Sequence, residues 1–144
     1  MAGTETGPFI VAGVDGSDES RQALRWALRQ AELTGVALHV VAAWPTPATY
    51  GYPEPYLDTD IEEGVRANLK RILDELPATD VPISSAVING IPAAVLVDAA
   101  SDADLLVVGS RGRGAFAGLL LGSVSAHCVS HARCPVTVVH ATRS

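Results

Sequence analysis

Lysine is almost missing from this chain of 144 residues, in which Lys70 is the one lysine. A phosphate-binding loop of the G-x-x-x-x-G-K-[ST] type needs a lysine directly after its second glycine. No position meets that requirement, so this type of loop is excluded. Positive charge is scarce as a whole, because ten Lys and Arg residues stand against sixteen Asp and Glu residues. Nucleic-acid binding requires a basic surface, so the composition predicts no nucleic-acid partner.

Cysteine and long apolar runs are also scarce. Cys128 and Cys134 match no zinc-ligand spacing, because no second pair exists, and we interpret them as reduced thiols. No stretch approaches the roughly 20 apolar residues that cross a bilayer, so we expect no membrane association. The start of the chain has neither the basic residues nor the apolar core of a secretion signal. These observations predict a cytoplasmic protein with a flexible leader at 1–7 and one domain at 8–141.

Short apolar runs alternate with helical patterns along the chain. Apolar composition predicts strands at 9–14, 36–43, 83–88, 104–108 and 135–140, with the third at an edge. Helix-start signals lie at Ser17, at Thr59 with Glu62, at Pro92 and at Gly122. Four prolines predict a long loop at 44–57. The alternation predicts a single α/β domain, a parallel sheet with helices on both faces, whose ligands bind beyond the carboxyl ends of the strands.

One glycine-rich segment follows the fourth predicted strand. Gly109 and Gly112 are separated by two residues, and nine further residues lead to Gly122 and Ser123. Glycine lets backbone N–H groups approach an anion closely, and a helix N-terminus adds unpaired donors and a favourable dipole. The segment therefore predicts a phosphate site, although the same glycines could instead shape a tight loop.

Several side chains near this sheet edge have two interpretations. Asp15 could face phosphates through a bridging Mg²⁺, or it could accept hydrogen bonds from the turn that follows it. Arg111 and Arg113 could contact phosphate or remain solvated. His127 and His131 have the i,i+4 spacing of a metal-binding pair, but no third ligand is evident in the sequence. We interpret these histidines as residues of the surface or of a dimer interface.

The order of these motifs resembles the nucleotide-binding class of the universal stress protein family. The resemblance covers 10–139 and rests on the letters VDGS at 14–17 and NGIPA at 89–93. Its most specific part is the pattern G-x2-G-x9-G-S, which runs from Gly109 to Ser123 without insertion or deletion. The segment CPVTVV at 134–139 completes the resemblance.

The resemblance implies a Rossmann-like fold of the adenine nucleotide alpha hydrolase type, with strand order 3-2-1-4-5. It implies ATP across the carboxyl edge, with adenine held at Ala42 and Asp15 near a phosphate-bound Mg²⁺. The other cofactor-binding positions it implies are Gly13, Val14, Val108, Gly109, Arg111, Gly112, Gly122, Ser123, Val124 and Ser125. It further implies a homodimer that pairs the last strands, which begin at Pro135 and end at His140.

Three functions remain open at this point. The leading hypothesis is a dimeric stress-response protein in which ATP acts as a regulatory ligand. The second is a slow ATPase or a nucleotidyl transferase, against which stands the absence of a lysine and of an obvious general base near the predicted phosphates. The third is an interaction module that uses no nucleotide. The same site could also take another adenine nucleotide, such as cyclic AMP.

Overall fold

A computed structural model of the chain describes residues 7–45, 58–111 and 121–141. Strands and helices alternate through this part of the chain, as the sequence predicts. The strands are β1 (Phe9–Gly13), β2 (Ala37–Trp44), β3 (Ile83–Asn89), β4 (Leu105–Gly109) and β5 (Val136–Val139). The helices are α1 (Asp18–Thr34), α2 (Asp58–Asp74), α3 (Pro92–Ala99) and α4 (Ser123–His131).

The strands form one parallel sheet in the order β3-β2-β1-β4-β5. This confirms the expected fold class and strand order, and it leaves β3 at one edge. The chain winds outward from β1 in one direction through β2 and β3, and in the other direction through β4 and β5. The winding therefore reverses between β1 and β4, and the carboxyl ends of these two strands are where such sheets bind ligands.

Two apolar layers cover the faces of the sheet. On one face α1 and α2 pack against the strands, through residues that include Leu24, Leu28 and Leu69. On the other face α3 and α4 contribute Leu96 and Cys128. Both faces of the central strands are thus buried, which explains why their sequences are continuous apolar runs instead of alternating patterns.

Strand β2 ends later than the sequence predicts. Trp44, expected at the start of the proline-rich loop, is the last residue of β2 and only 6% of it is exposed. It pairs with Asn89 of β3, and its carbonyl oxygen accepts hydrogen bonds from the N–H of Gly90 at 2.9 Å and from Nδ2 of Asn89 at 3.1 Å. The edge strand β3 is one residue longer than predicted, and pairing with its last residue extends β2. The remaining part of the predicted loop, residues 46–57, lies outside the described residues.

Helix α2 also differs from its predicted bounds. It is described from Asp58 onward, so Thr59 lies inside the helix. Thr59 is therefore not the residue that precedes the first turn of the helix. The carboxylate of Glu62 accepts from Nε and Nη2 of Arg66, one turn further on, at 2.9 and 2.6 Å. The helix ends at Asp74, before Pro77, in a tighter turn that bonds Glu75 to Ile72. None of the described helices is long and apolar enough to cross a membrane.

Candidate functional site

A cleft of about 1180 Å³ opens at the carboxyl edge of the sheet. Its floor is formed by the ends of β1, β2 and β4, its walls by α2 and by the starts of α3 and α4. Every predicted site residue that the structure describes lines this one cleft: Gly13, Val14, Asp15, Ala42, Val108, Gly109, Arg111, Gly122, Ser123, Val124 and Ser125. Gly112 lies outside the described residues. The fold thus brings together positions that are far apart in the sequence.

The turn after β1 forms one side of the cleft. The N–H of Ser17 donates to Oδ1 of Asp15 at 2.9 Å, and the N–H of Ser20 donates to Oγ of Ser17 at 3.2 Å. Asp15 therefore accepts from the turn that follows it, as one of its two interpretations expects. The side chain of Asp15 remains exposed to the cleft. Its contact with a phosphate-bound metal stays a prediction.

The start of α4 forms the opposite side of the cleft. Gly122 occupies the N-cap with φ −73° and ψ 171°, and it has no side chain with which to cap the helix. The first turn, Ser123 to Ser125, carries no acidic residue and lines the cleft. The first N–H groups of a helix have no partners within the helix, and they carry the positive end of its dipole. This wall consequently has the chemistry of an anion site.

Two buried serines hold the start of α4 beside the end of β4. The carbonyl oxygen of Ser110 accepts from the N–H of Gly122 at 2.6 Å and from Oγ of Ser125 at 2.8 Å. Ser110 and Ser125 are each only 2% exposed. The hydrogen of the Ser125 hydroxyl is thus used within the protein, so this hydroxyl does not donate to a ligand while the bond to Ser110 is kept. Ser110 was not among the predicted site residues, although it lies inside the glycine pattern.

Gly109 allows the start of α1 to lie directly over the end of β4. A Cβ atom at this position would lie 2.8 Å from the carbonyl carbon of Glu19 and 3.0 Å from the backbone nitrogen of Ser20. Both neighbours are backbone atoms, which cannot rotate away as the end of a side chain could. Gly109 is therefore required by packing in addition to any role in binding.

An ion pair joins the loop after β4 to helix α1. Nη2 of Arg111 lies 3.2 Å from Oε2 of Glu19, with the Arg111 side chain 36% exposed and the Glu19 side chain 14% exposed. The two interpretations of Arg111 from the sequence were contact with phosphate and solvation, and neither included this partner. No local signal connects residues this far apart. Arg113 lies outside the described residues.

Helix α2 supplies a wall of the cleft that sequence reasoning missed. Its lining residues include Asp60, Asn68 and Arg71, and Nη2 of Arg71 donates to Oδ1 of Asn68 at 2.8 Å. Leu69 and Ile72 recur at helical spacing, and both are buried in the core. Helical spacing does not indicate that the border of this buried face opens into the cleft.

The remaining candidates lie on α4. His127 lines the cleft and its ring stacks on that of His131, with centroids 4.0 Å apart. No group of three His, Cys, Asp or Glu side chains suited to a metal ion occurs within residues 7–45, 58–111 and 121–141.

Cys128 is fully buried; burial, with the nearby Cys134 as a smaller cause, raises the pKa of its thiol to about 11. Cys128 is therefore a protonated packing residue.

The fold and the cleft together define a doubly wound α/β domain with a cleft, lined by the start of α4, at its switch point. A family model described as the universal stress protein family matches residues 9–140, and the chain belongs to that family. It is 36% identical to Universal stress protein Rv2005c of Mycobacterium tuberculosis over 142 residues, which cover 91% of this chain and 47% of that protein. The chain thus spans about half the length of this curated relative.

Solved structures of the family share the fold. One is a universal stress protein in complex with cAMP, with a TM-score of 0.72 and 29% identity over 96% of this chain and all of that chain (100%). Another is the universal stress protein from Archaeoglobus fulgidus in complex with dAMP, with a TM-score of 0.63 and 26% identity over 92% of this chain and 96% of that one.

Proposed function

We propose that the cleft binds adenine nucleotides, with ATP and Mg²⁺ as its ligands, and that the bound nucleotide regulates a dimer of this stress protein. One observation carries the proposal. All the predicted site residues that the structure describes line one cleft, beside the start of α4, whose N-cap residue has no side chain. The cAMP and dAMP complexes of the two solved relatives support adenine nucleotides as the class of ligand.

The chemistry of the lining residues fits each part of such a ligand. Adenine would lie against the backbone at Ala42, near the apolar Val14 and Trp44. The phosphates would lie between the end of β4 and the first turn of α4, where backbone N–H groups can donate. Mg²⁺ prefers carboxylate and phosphate oxygens, and Asp15 offers an exposed carboxylate at the cleft. When bound, the cation would offset phosphate charge.

Strand β5 supports the dimer. It is an edge strand, and all four of its residues are only partly buried. An unpaired edge of apolar residues favours pairing with a further strand, and a second copy of the chain offers an identical one. Nucleotide-dependent regulation could reach this strand directly, because β5 pairs with β4, whose end forms the floor of the cleft.

Calorimetric titration tests the proposal. ATP with Mg²⁺, cAMP and AMP should each bind to one site per chain, whereas GTP should bind more weakly because the site recognises the base through the backbone. Light scattering with and without ATP measures the dimer and its response. Absence of binding by every adenine nucleotide would overturn the proposal. Steady turnover of ATP at about 1 per second or faster would replace it with the enzyme hypothesis.

A further inference from the structure

The fixed charges that line the cleft nearly cancel. Among the lining residues that the structure describes, Asp15 and Asp60 carry carboxylates, and Arg71 and Arg111 carry guanidinium groups. Sites that bind polyanions normally concentrate positive charge around them. The described part of this cleft does not, so its selectivity depends strongly on any further charge close to the proposed phosphate position.

Glu19 supplies such a charge. Its Oε2 lies 3.2 Å from Nη2 of Arg111, and its side chain is only 14% exposed. Its main chain and Cβ are tightly packed over Gly109, since a Cβ on that glycine would lie 2.8 Å from each of them. Glu19 is therefore fixed beside the end of β4, where it offsets the charge of Arg111, a cation within the glycine pattern.

We propose that Glu19 is a specificity-determining residue that makes the cleft select adenine nucleotides by their phosphate charge. The proposal rests on the proposed nucleotide binding. Monophosphates, cyclic or linear, bind well because they place little negative charge near Glu19. A triphosphate binds well only with Mg²⁺, which reduces its charge. Glu19 affects the binding affinity in two ways, through its ion pair with Arg111 and through the electric field of its carboxylate. It does not touch adenine or ribose.

The physical basis is the scaling of charge repulsion. Contacts with the base, the sugar and the first phosphate are common to all adenine nucleotides, so they add equally to every affinity. Repulsion from a fixed carboxylate grows with the number of ligand charges and weakens with salt. The effect of Glu19 must therefore differ between ligands, whereas a purely structural role would change all affinities alike.

The test is calorimetric titration of the full chain and of its Glu19→Gln variant with cAMP, with ATP plus Mg²⁺, and with ATP plus a chelator. The variant keeps the shape of the side chain and removes its charge. We expect about tenfold tighter binding of free ATP, about threefold for ATP with Mg²⁺, and less than about twofold for cAMP. These differences should shrink in high salt.

Asp74→Asn is the matched control. Asp74 pairs with Lys70 at 3.3 Å on the exposed side of α2, and it does not line the cleft. The control makes the same change in net charge, so it should leave the ranking of the three ligands unchanged. If it shifts the ranking as Glu19→Gln does, net charge and not Glu19 determines the selectivity, and the proposal is overturned.

Arg111→Gln removes a positive charge where Glu19→Gln removes a negative one. It tests the proposal if Glu19→Gln does not fold. It leaves Glu19 unneutralised, so free ATP should lose at least about tenfold in affinity and cAMP far less. Equal changes for all ligands in these variants overturn the proposal while leaving nucleotide binding intact. Failure of the unmodified chain to bind any adenine nucleotide overturns both, so the two failures are distinguishable.

Discussion

Helices α1 and α4 begin at the same edge of the sheet, on either side of the cleft, but their first turns differ in kind. At α1, Ser17 caps the helix by accepting from the N–H of Ser20, and the acidic Asp18 and Glu19 follow. At α4, Gly122 has no side chain to cap with, and no acidic residue lies in the first turn. Within the described residues, the protein caps the start of α1 with its own side chain and gives the start of α4 no such cap.

This difference indicates where the phosphates of a ligand should lie. A carboxylate in the first turn stabilises a helix by matching its dipole, and it repels an incoming phosphate for the same reason. Proximity to the sheet edge is therefore not enough to make an anion site. We expect the phosphates at α4, with α1 acting through the Glu19 charge and through its packing on Gly109.

The largest expected effect comes from Gly109, at the end of β4, where the start of α1 packs on the strand. Replacing Gly109 with alanine forces its Cβ against backbone atoms of Glu19 and Ser20, so α1 must move. We expect a loss of about 2–3 kcal/mol in the free energy of unfolding, measured by denaturant titration.

Gly64→Ala is the control for this substitution. Gly64 lies in α2, and a Cβ atom there would meet nothing within 4 Å. The control should gain about 0.5–1 kcal/mol, because alanine favours the helix more than glycine does. Equal stability of the two variants would show that the contact between Gly109 and α1 is not tight.

A second variant makes the start of α4 resemble that of α1. Gly122→Asp is compatible with the backbone, since φ is −73°. The new carboxylate should cap the helix and stabilise the protein by about 0.5 kcal/mol, while it lowers the affinity for ATP with Mg²⁺ by about tenfold. Calorimetry and thermal unfolding measure these opposite effects on the same sample.

Gly122→Asn separates capping from charge, because asparagine caps without a carboxylate. Its loss of affinity should be smaller than that of the aspartate variant. Cys128 reports whether α4 stays in place, since its buried, protonated thiol should resist alkylation in both variants. If the aspartate variant binds ATP as tightly as the original chain, the phosphates do not lie at α4.

The smallest effect is expected from removing the cap of α1. Ser17→Ala eliminates the acceptor for the N–H of Ser20, at a cost of about 1 kcal/mol in unfolding free energy. The affinity for ATP should change by less than about twofold, because this helix start serves the fold. A loss of affinity larger than the loss of stability would mean that α1 contacts the ligand directly.

Much of the fold could be predicted because its signals are local. Ser17 marks the start of α1, and Gly35 marks its end by adopting φ 72°. Gly109 and Gly122 were named from their spacing alone. The strand order, by contrast, came from the family resemblance, since no local pattern states which strands are neighbours.

The features that escaped prediction all depend on tertiary packing. Glu19 and Arg111 meet only after the sheet has placed β4 beneath α1. Asn68 and Arg71 reach the cleft because of the way α2 lies across the sheet, which helical periodicity does not encode. The end of β2 at Trp44 follows from its pairing with β3. In each case a partner from a distant part of the chain decides the outcome.

Trp44 also gives the protein an optical signal of its own. The chain has two tryptophans, and Trp44 lines the cleft, whereas Trp26 lies in α1 and packs against the core. We expect a nucleotide bound in the cleft to change the fluorescence of Trp44, with Trp26 as a constant background. Intrinsic fluorescence can therefore follow the filling of the cleft in real time, without a label and without a change to the sequence.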